Sequence, residues 1–189
     1  MKFIDDYQAF TRTTAVYPEV LAMPYLALGM CDEAGELLEK VLAFVEMYES
    51  TGKQPGTQWI NRLLAEAGDV MWYVARITDS MSMPLSDITK RAQYTGMATL
   101  LSAASHITVK AAAVAGRCKK LLRDGDTWSE DQRVAAERMI VESLFGVVAG
   151  VQALAMAFGR SLADVLNDNQ SKLSDRLTRN VIKGDGDNR

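Results

Sequence analysis

The chain has 189 residues, enough for one good-sized domain or two small halves sharing a core. Hydrophobic residues make up 48% and charged residues 24%, which excludes general disorder. A formal net charge of −3 with no broad basic bias excludes a nucleic-acid backbone as main partner, although one local basic cluster suffices for a small phosphorylated substrate.

Only 7% of residues are aromatic and 4 are proline, a bias toward helices. The opening Met1-Lys2-Phe3-Ile4-Asp5-Asp6 turns acidic at once and reads as no secretory signal. No apolar run reaches the roughly 18 residues of a membrane span. Cys31 and Cys118 both fall in segments that read as helix, so the chain is expected to be cytoplasmic, with reduced thiols and no membrane partner. A single histidine, His106, leaves a histidine-based zinc site or triad almost nothing to work with.

In chain order, a short helix is expected near Asp5–Thr13, then a break at Tyr17-Pro18-Glu19. An amphipathic helix follows from about Pro24 to Glu49, its apolar stripe formed by Leu26, Met30, Leu37, Val41, Phe44 and Tyr48. Ser50-Thr51-Gly52-Lys53-Gln54-Pro55-Gly56 reads as a loop. A second helix is expected over Thr57–Met81, with Leu63, Val70, Val74, Ile77 and Met81 on one face. Pro84 starts a short helix, with Ser82 as a plausible cap. The same grammar then repeats: a helix over Met97–Arg123, a turn at Asp124-Gly125-Asp126, and a helix over Ser129–Phe158.

Arg138–Glu142 echoes Arg62–Glu66, and Ser161–Val165 echoes Pro84–Ile88. The pattern predicts an all-α fold in which two helical hairpins pack into one bundle. It divides the chain into a first repeat over 17–95, a degenerate second repeat over 96–180 and a polar tail over 181–189, within one domain spanning 1–189. On composition the tail is a flexible arm.

Four carboxylates carry the chemistry. Glu33 and Glu36 on the first long helix, and Glu66 and Asp69 on the second, each have i, i+3 spacing. A solvated acidic face is the bland reading of such a pair. Position argues otherwise: Glu33 lies between Met30 and Leu37, and Glu66 between Leu63 and Val70, inside the apolar stripes. Glu36 and Asp69 sit at the same edge of those stripes. Desolvating carboxylates without compensation costs several kcal/mol each. Raised pKa values, basic partners or a bound cation would relieve that cost. Lys40 and Arg62 lie one turn away, though neither lies in a stripe. An all-oxygen site suits a hard ion, Mg²⁺ or Mn²⁺, and we take the cation as the main expectation. Gly29, Gly35 and Gly68 interrupt the same helices at about 1 kcal/mol each relative to alanine. Close helix approach and room for a ligand explain them equally well.

Leu28-Gly-Met-Cys-Asp-Glu33-Ala-Gly-Glu36-Leu followed by Glu66-Ala-Gly-Asp69-Val-Met-Trp-Tyr73 resembles the MazG-type all-α nucleotide pyrophosphohydrolases. The resemblance implies that Glu33, Glu36, Glu66 and Asp69 ligate Mg²⁺ and are the catalytic residues. Asp32 fills the place of an acidic residue that precedes the first glutamate in many members, but its helix angle points away from the stripe. Near the C-terminus, Asn169, Lys172, Arg176 and Arg179 recur at spacings of three and four, with Asn169 expected near the start of a helix. A solvated polar helix is the bland reading. Asn169-x-x-Lys172-Leu173-x-x-Arg176, running on to Arg189, resembles the end of many phage and bacterial MazG-like proteins. That implies that Asn169, Lys172, Arg176 and Arg189 meet substrate phosphates, which suits the point charge of lysine and the planar fork of arginine.

The resemblance covers about residues 17–83 and 152–189. After Pro84 the first repeat carries Ala92 and Thr95 where the tail motif would want Asn and Lys, and the second repeat lacks the glutamates. One repeat keeps the metal half and the other the phosphate half, which suggests a fused pseudo-dimer with one working site. Trp72 either faces the second hairpin or flanks a substrate base, whereas Tyr73 reads as core packing. The implied activity is Mg²⁺-dependent hydrolysis of a nucleoside triphosphate to a monophosphate and pyrophosphate, a nucleotide-pool housekeeping role. Two alternatives stay open: a non-catalytic helical regulatory or assembly protein, and a different metal-dependent phosphohydrolase. The chain acts either alone or as a homodimer paired through an exposed helix face.

Overall fold

The computed structural model describes residues 2–92 and 97–183. Among them are seven α-helices and no strand: α1 Lys2–Thr11, α2 Ala22–Thr51, α3 Thr57–Ser80, α4 Leu85–Arg91, α5 Leu100–Asp124, α6 Glu130–Ala157 and α7 Leu162–Thr178. The fold is an all-α bundle, as the helical periodicity predicts. Helix α2 packs against both α3 and α5, and α6 closes the ring by packing on α5 and α3. Leu26, Met30, Leu37, Leu63, Ile77, Ile107, Ile140 and Leu144 are among the fully buried side chains of its core. Helix α7 lies on α3, and α1 is wedged against α3, α4 and α7.

Local signals place most ends. Ser129 and Ser161 close capping boxes with Gln132 and Asp164, and Thr99 does so with Ser102, satisfying otherwise orphaned N–H groups. Gly52 ends α2 in the left-handed region (φ 65°), its N–H donating to Tyr48 O at 2.7 Å. The helix therefore extends through Ser50 and Thr51, two residues expected in the loop. The first helix begins earlier than the pattern predicts and continues as a 3₁₀ turn over Arg12–Thr14.

Ser82 does not cap α4. It takes a left-handed conformation (φ 54°), and the first N–H groups of α4 are satisfied from α1 instead. Leu85 N donates to Gln8 Oε1 at 2.9 Å and Ser86 N to Asp5 Oδ1 at 3.0 Å. Asn169 is also not near a helix start: α7 begins at Leu162, so Asn169 sits two turns inside it. Ser161 accepts from Asp164 N as the N-cap and sets that earlier start.

The buried positions of α2 (Leu26, Ala27, Met30, Ala34, Leu37, Val41) recur 77 residues later in α5 as Ala103, Ala104, Ile107, Ala111, Val114 and Cys118. Pro84 and Ser161, the N-cap positions of α4 and α7, keep the same offset. Each short helix also crosses to the opposite hairpin, α4 onto α6 and α7 onto α3. The Arg138–Glu142 echo of Arg62–Glu66 is out of step by one residue. Glu142 is exposed in a pair with Arg138, and buried Ser143 occupies the place corresponding to Glu66.

One described helix, α6, is long and apolar enough to cross a membrane, with a mean hydropathy of 1.8 over its best window. Glu142 and Gln152 interrupt it as an apolar run without lowering that average below the span range. Of that window, 61% is buried in the bundle, where it serves as core.

Two glycines of α2 make opposite demands. A Cβ on Gly29 would stand 2.3 Å from the Tyr73 ring, whereas one on Gly35 would meet nothing within 4 Å. Gly29→Ala is therefore expected to cost roughly 1–3 kcal/mol through overpacking. Gly35→Ala should stabilise the protein by up to about 1 kcal/mol through helix propensity. Urea denaturation of both variants in EDTA checks this; equal shifts in one direction would contradict it.

Candidate metal centre

Oxygen atoms of Glu33, Glu66 and Asp69 all lie within 4.8 Å of one another. Glu33 comes from α2 and the other two from successive turns of α3, so the cluster depends on the contact between those helices. Glu66 is 1% exposed, Glu33 and Asp69 are half-buried, and Glu36 is exposed at the rim. Glu36 is outside the converging set, though its charge is felt by Glu33.

The electrostatic debt predicted for these stripes is met within the chain. Lys40 Nζ stands 2.7 Å from Glu66 Oε1. Lys172 forms an ion pair with Asp69 Oδ2. Asn169 Nδ2 donates to Asp69 Oδ1 at 2.8 Å, and Tyr7 Oη donates to Asn169 Oδ1 at 2.8 Å. Among the described residues, Glu33 makes no ion pair with a lysine. Burial first, then the charges of Asp69, Glu66 and Glu36, push its carboxyl up to about 8, with Lys172 opposing.

Asn169 and Lys172 arrive from α7, 100 and 103 residues beyond Asp69, and both contact its carboxylate. Asn169 is 2% exposed with both ends of its amide engaged, so it holds Asp69 in place rather than facing open space. Gly68 makes this approach feasible, because a Cβ there would stand 2.9 Å from Asn169 Cβ. Arg176, one turn past Lys172, is buried at 5% exposure. Arg189 and the Gly184-Asp185-Gly186-Asp187 stretch lie outside the described residues, as does Thr95.

Trp72 is half-buried on α3. Its Nε1–H donates to Thr14 Oγ1 at 2.8 Å, and its ring meets Tyr17 edge-on. Tyr73 is half-buried against Gly29, and burial followed by the charge of Tyr25, then Glu33, raises its phenol well above the ordinary value. Arg62 is exposed. Asp32 is exposed too, as its helix angle implies. Sequence reasoning missed Tyr7, which is fully buried and 162 residues from Asn169; no periodicity could link them. By spacing Lys40 lies outside the stripe, four residues from Glu36. The length of a lysine side chain carries the charge into it.

These features define an all-α bundle with a half-buried carboxylate cluster of the kind that could hold a cation. The chain is similar to the gene 37 protein of Mycobacterium phage L5, 33% identical over 94 residues that cover 47% of this chain and 80% of the phage protein. It belongs to the family of that phage protein. No protein-family model and no solved structure matches it.

Glu33 makes stability depend on pH in the metal-free protein. Above pH 4.5 the unfolded chain has released a proton that the fold retains up to about pH 8. Stability in EDTA should therefore fall as pH rises through that window and level off above it, by at most about 1.4 kcal/mol per pH unit. Glu33→Gln should flatten the slope. Denaturation midpoints at several pH values check this, and an unchanged slope in the variant would locate the effect elsewhere.

Proposed function

We propose that the protein is a metal-dependent nucleoside triphosphate pyrophosphohydrolase of the MazG type. The observation that carries this reading is the meeting of Glu33, Glu66 and Asp69 from α2 and α3 with Lys172 from α7. The MazG resemblance assigns the acidic and the Asn-x-x-Lys motifs to one site, although they lie a hundred residues apart in the chain.

The donor set fits a hard divalent cation: only oxygen ligands, three of them within one ion's reach, with Glu36 at the solvent rim. Glu33, Glu66 and Asp69 would hold Mg²⁺ or Mn²⁺, with Glu36 joining directly or through water. Such an ion supplies charge for the phosphate oxygens and makes a coordinated water more acidic. The chain's own groups account for the rest. Glu33 must give up its proton to become a ligand, so cation binding releases one near neutral pH. Lys40 and Lys172 then exchange carboxylate contacts for phosphate contacts and neutralise charge on the leaving pyrophosphate. Asn169, fixed by Tyr7, keeps Asp69 in its ligating orientation through the hydrogen bond to Oδ1.

In this reading the 77-residue recurrence marks a fused pseudo-dimer with one working site. Lys110, Ala113, Ser143 and Gly146 stand 77 residues after Glu33, Glu36, Glu66 and Asp69, so the corresponding place in the second hairpin has no carboxylate. A second reading has its own observation. Lys40 and Lys172 already pair with two of the three acids, which also suits a purely structural polar cluster in a non-catalytic bundle.

A pyrophosphate-release assay across the eight common NTPs and dNTPs separates the readings, with Mg²⁺ or EDTA, on wild type and Glu66→Gln. Metal-dependent release, reduced at least 100-fold in Glu66→Gln, is the expected result. A folded wild type that releases no pyrophosphate from any triphosphate would favour the structural cluster. Release of orthophosphate alone would indicate another phosphohydrolase.

A further inference from the structure

Beside the carboxylate cluster, α2 and α3 enclose a shallow depression of about 570 Å³ lined by Tyr25, Leu28, Gly29, Cys31, Asp32 and Tyr73. Its floor follows from Gly29, whose missing Cβ lets the Tyr73 ring lie directly on α2. Tyr25 is 43% exposed and Leu28 69%, so the depression presents an aromatic and apolar wall to solvent. Tyr17 stacks behind Tyr25 with ring centroids 4.9 Å apart and holds it upright. The notch adjoins the cluster: Glu33 follows Asp32 in the chain, and the Tyr73 phenol feels the charges of Glu33 and Asp69. Asp32 is exposed and, among the described residues, makes no hydrogen bond or ion pair.

We propose that this notch binds the base of the nucleotide and that Asp32 selects guanine. The proposal rests on the nucleotide reading above and specifies its substrate class. A planar base stacks on a tyrosine face regardless of its identity, so the aromatic wall supplies affinity without choice. Choice comes from the carboxylate, which has two acceptor oxygens and no donor. Guanine alone among the common bases offers two adjacent N–H donors on one edge, N1–H and the 2-amino group, and these match a carboxylate in a two-point contact. Adenine and cytosine each present an amino group beside a ring-nitrogen acceptor, which would face an oxygen lone pair. Uracil and thymine place carbonyls on either side of their N–H. Xanthine carries a carbonyl where guanine has the 2-amino group, so it opposes Asp32 but complements an asparagine, whose amide offers one acceptor and one donor.

The test compares GTP with XTP as substrates for wild type and Asp32→Asn, using pyrophosphate release with Mg²⁺. Wild type should favour GTP by roughly tenfold or more in kcat/KM, and Asp32→Asn should reverse the order. Tyr25→Ala should weaken both substrates alike. A GTP/XTP ratio unaltered by Asp32→Asn would overturn the proposal. If wild type turns over no triphosphate, the hydrolase reading fails, and the notch is judged by titrating guanosine and xanthosine against intrinsic fluorescence in EDTA. Guanosine binding that switches to xanthosine in Asp32→Asn upholds it, and no guanosine binding overturns it.

Discussion

The desolvation of the carboxylates between α2 and α3 is the constraint on which the rest of this molecule depends. Glu66 is almost fully buried, and a buried carboxylate without compensation would oppose the packing that creates the bundle. Compensation arrives from three directions: Lys40 on the same helix pair, Lys172 from α7, and a retained proton on Glu33.

Much of the architecture follows from delivering Lys172 and Asn169 to Asp69. Helix α7 must lie across α3, which requires Gly68 at the crossing and α1 beneath to supply Tyr7. Helix α1 in turn caps α4 through Asp5 and Gln8, so the N-terminal segment links both short helices to the long ones. Fully buried, with its phenol held neutral by burial and by Asp69, Tyr7 can act only as a donor toward Asn169. A chain of neutral and charged hydrogen bonds therefore runs from the N-terminal helix to the carboxylates, and it fixes their orientation.

The two hairpins share a burial pattern but not a chemistry. Their common offset preserves which positions face the core, because those positions are fixed by helix–helix packing. The outward flank is under no such constraint. There the second hairpin has Lys110 and His106 packed against Gly146, where the first hairpin gathers its acids. Burial lowers the pKa of His106, and Lys110 adds to the effect, which keeps the imidazole neutral.

The amino-acid sequence determined the fold class, the long helices to within a few residues, and the two stripes that carry Glu33 and Glu66. Those features are periodic, and helical periodicity is a local property of the chain. It also placed Glu36 and Asp69 at equivalent stripe edges, yet only Asp69 joins the cluster, since α7 covers the α3 side and leaves Glu36 exposed. Tertiary structure alone decided that Lys40 reaches Glu66, that Asn169 serves Asp69, and that Trp72 turns to Thr14. It likewise decided that Gly29 and Gly68 are sites of close approach while Gly35 is open. Each of these depends on which side chain from a distant segment occupies a given space, and no spacing within a single helix records that.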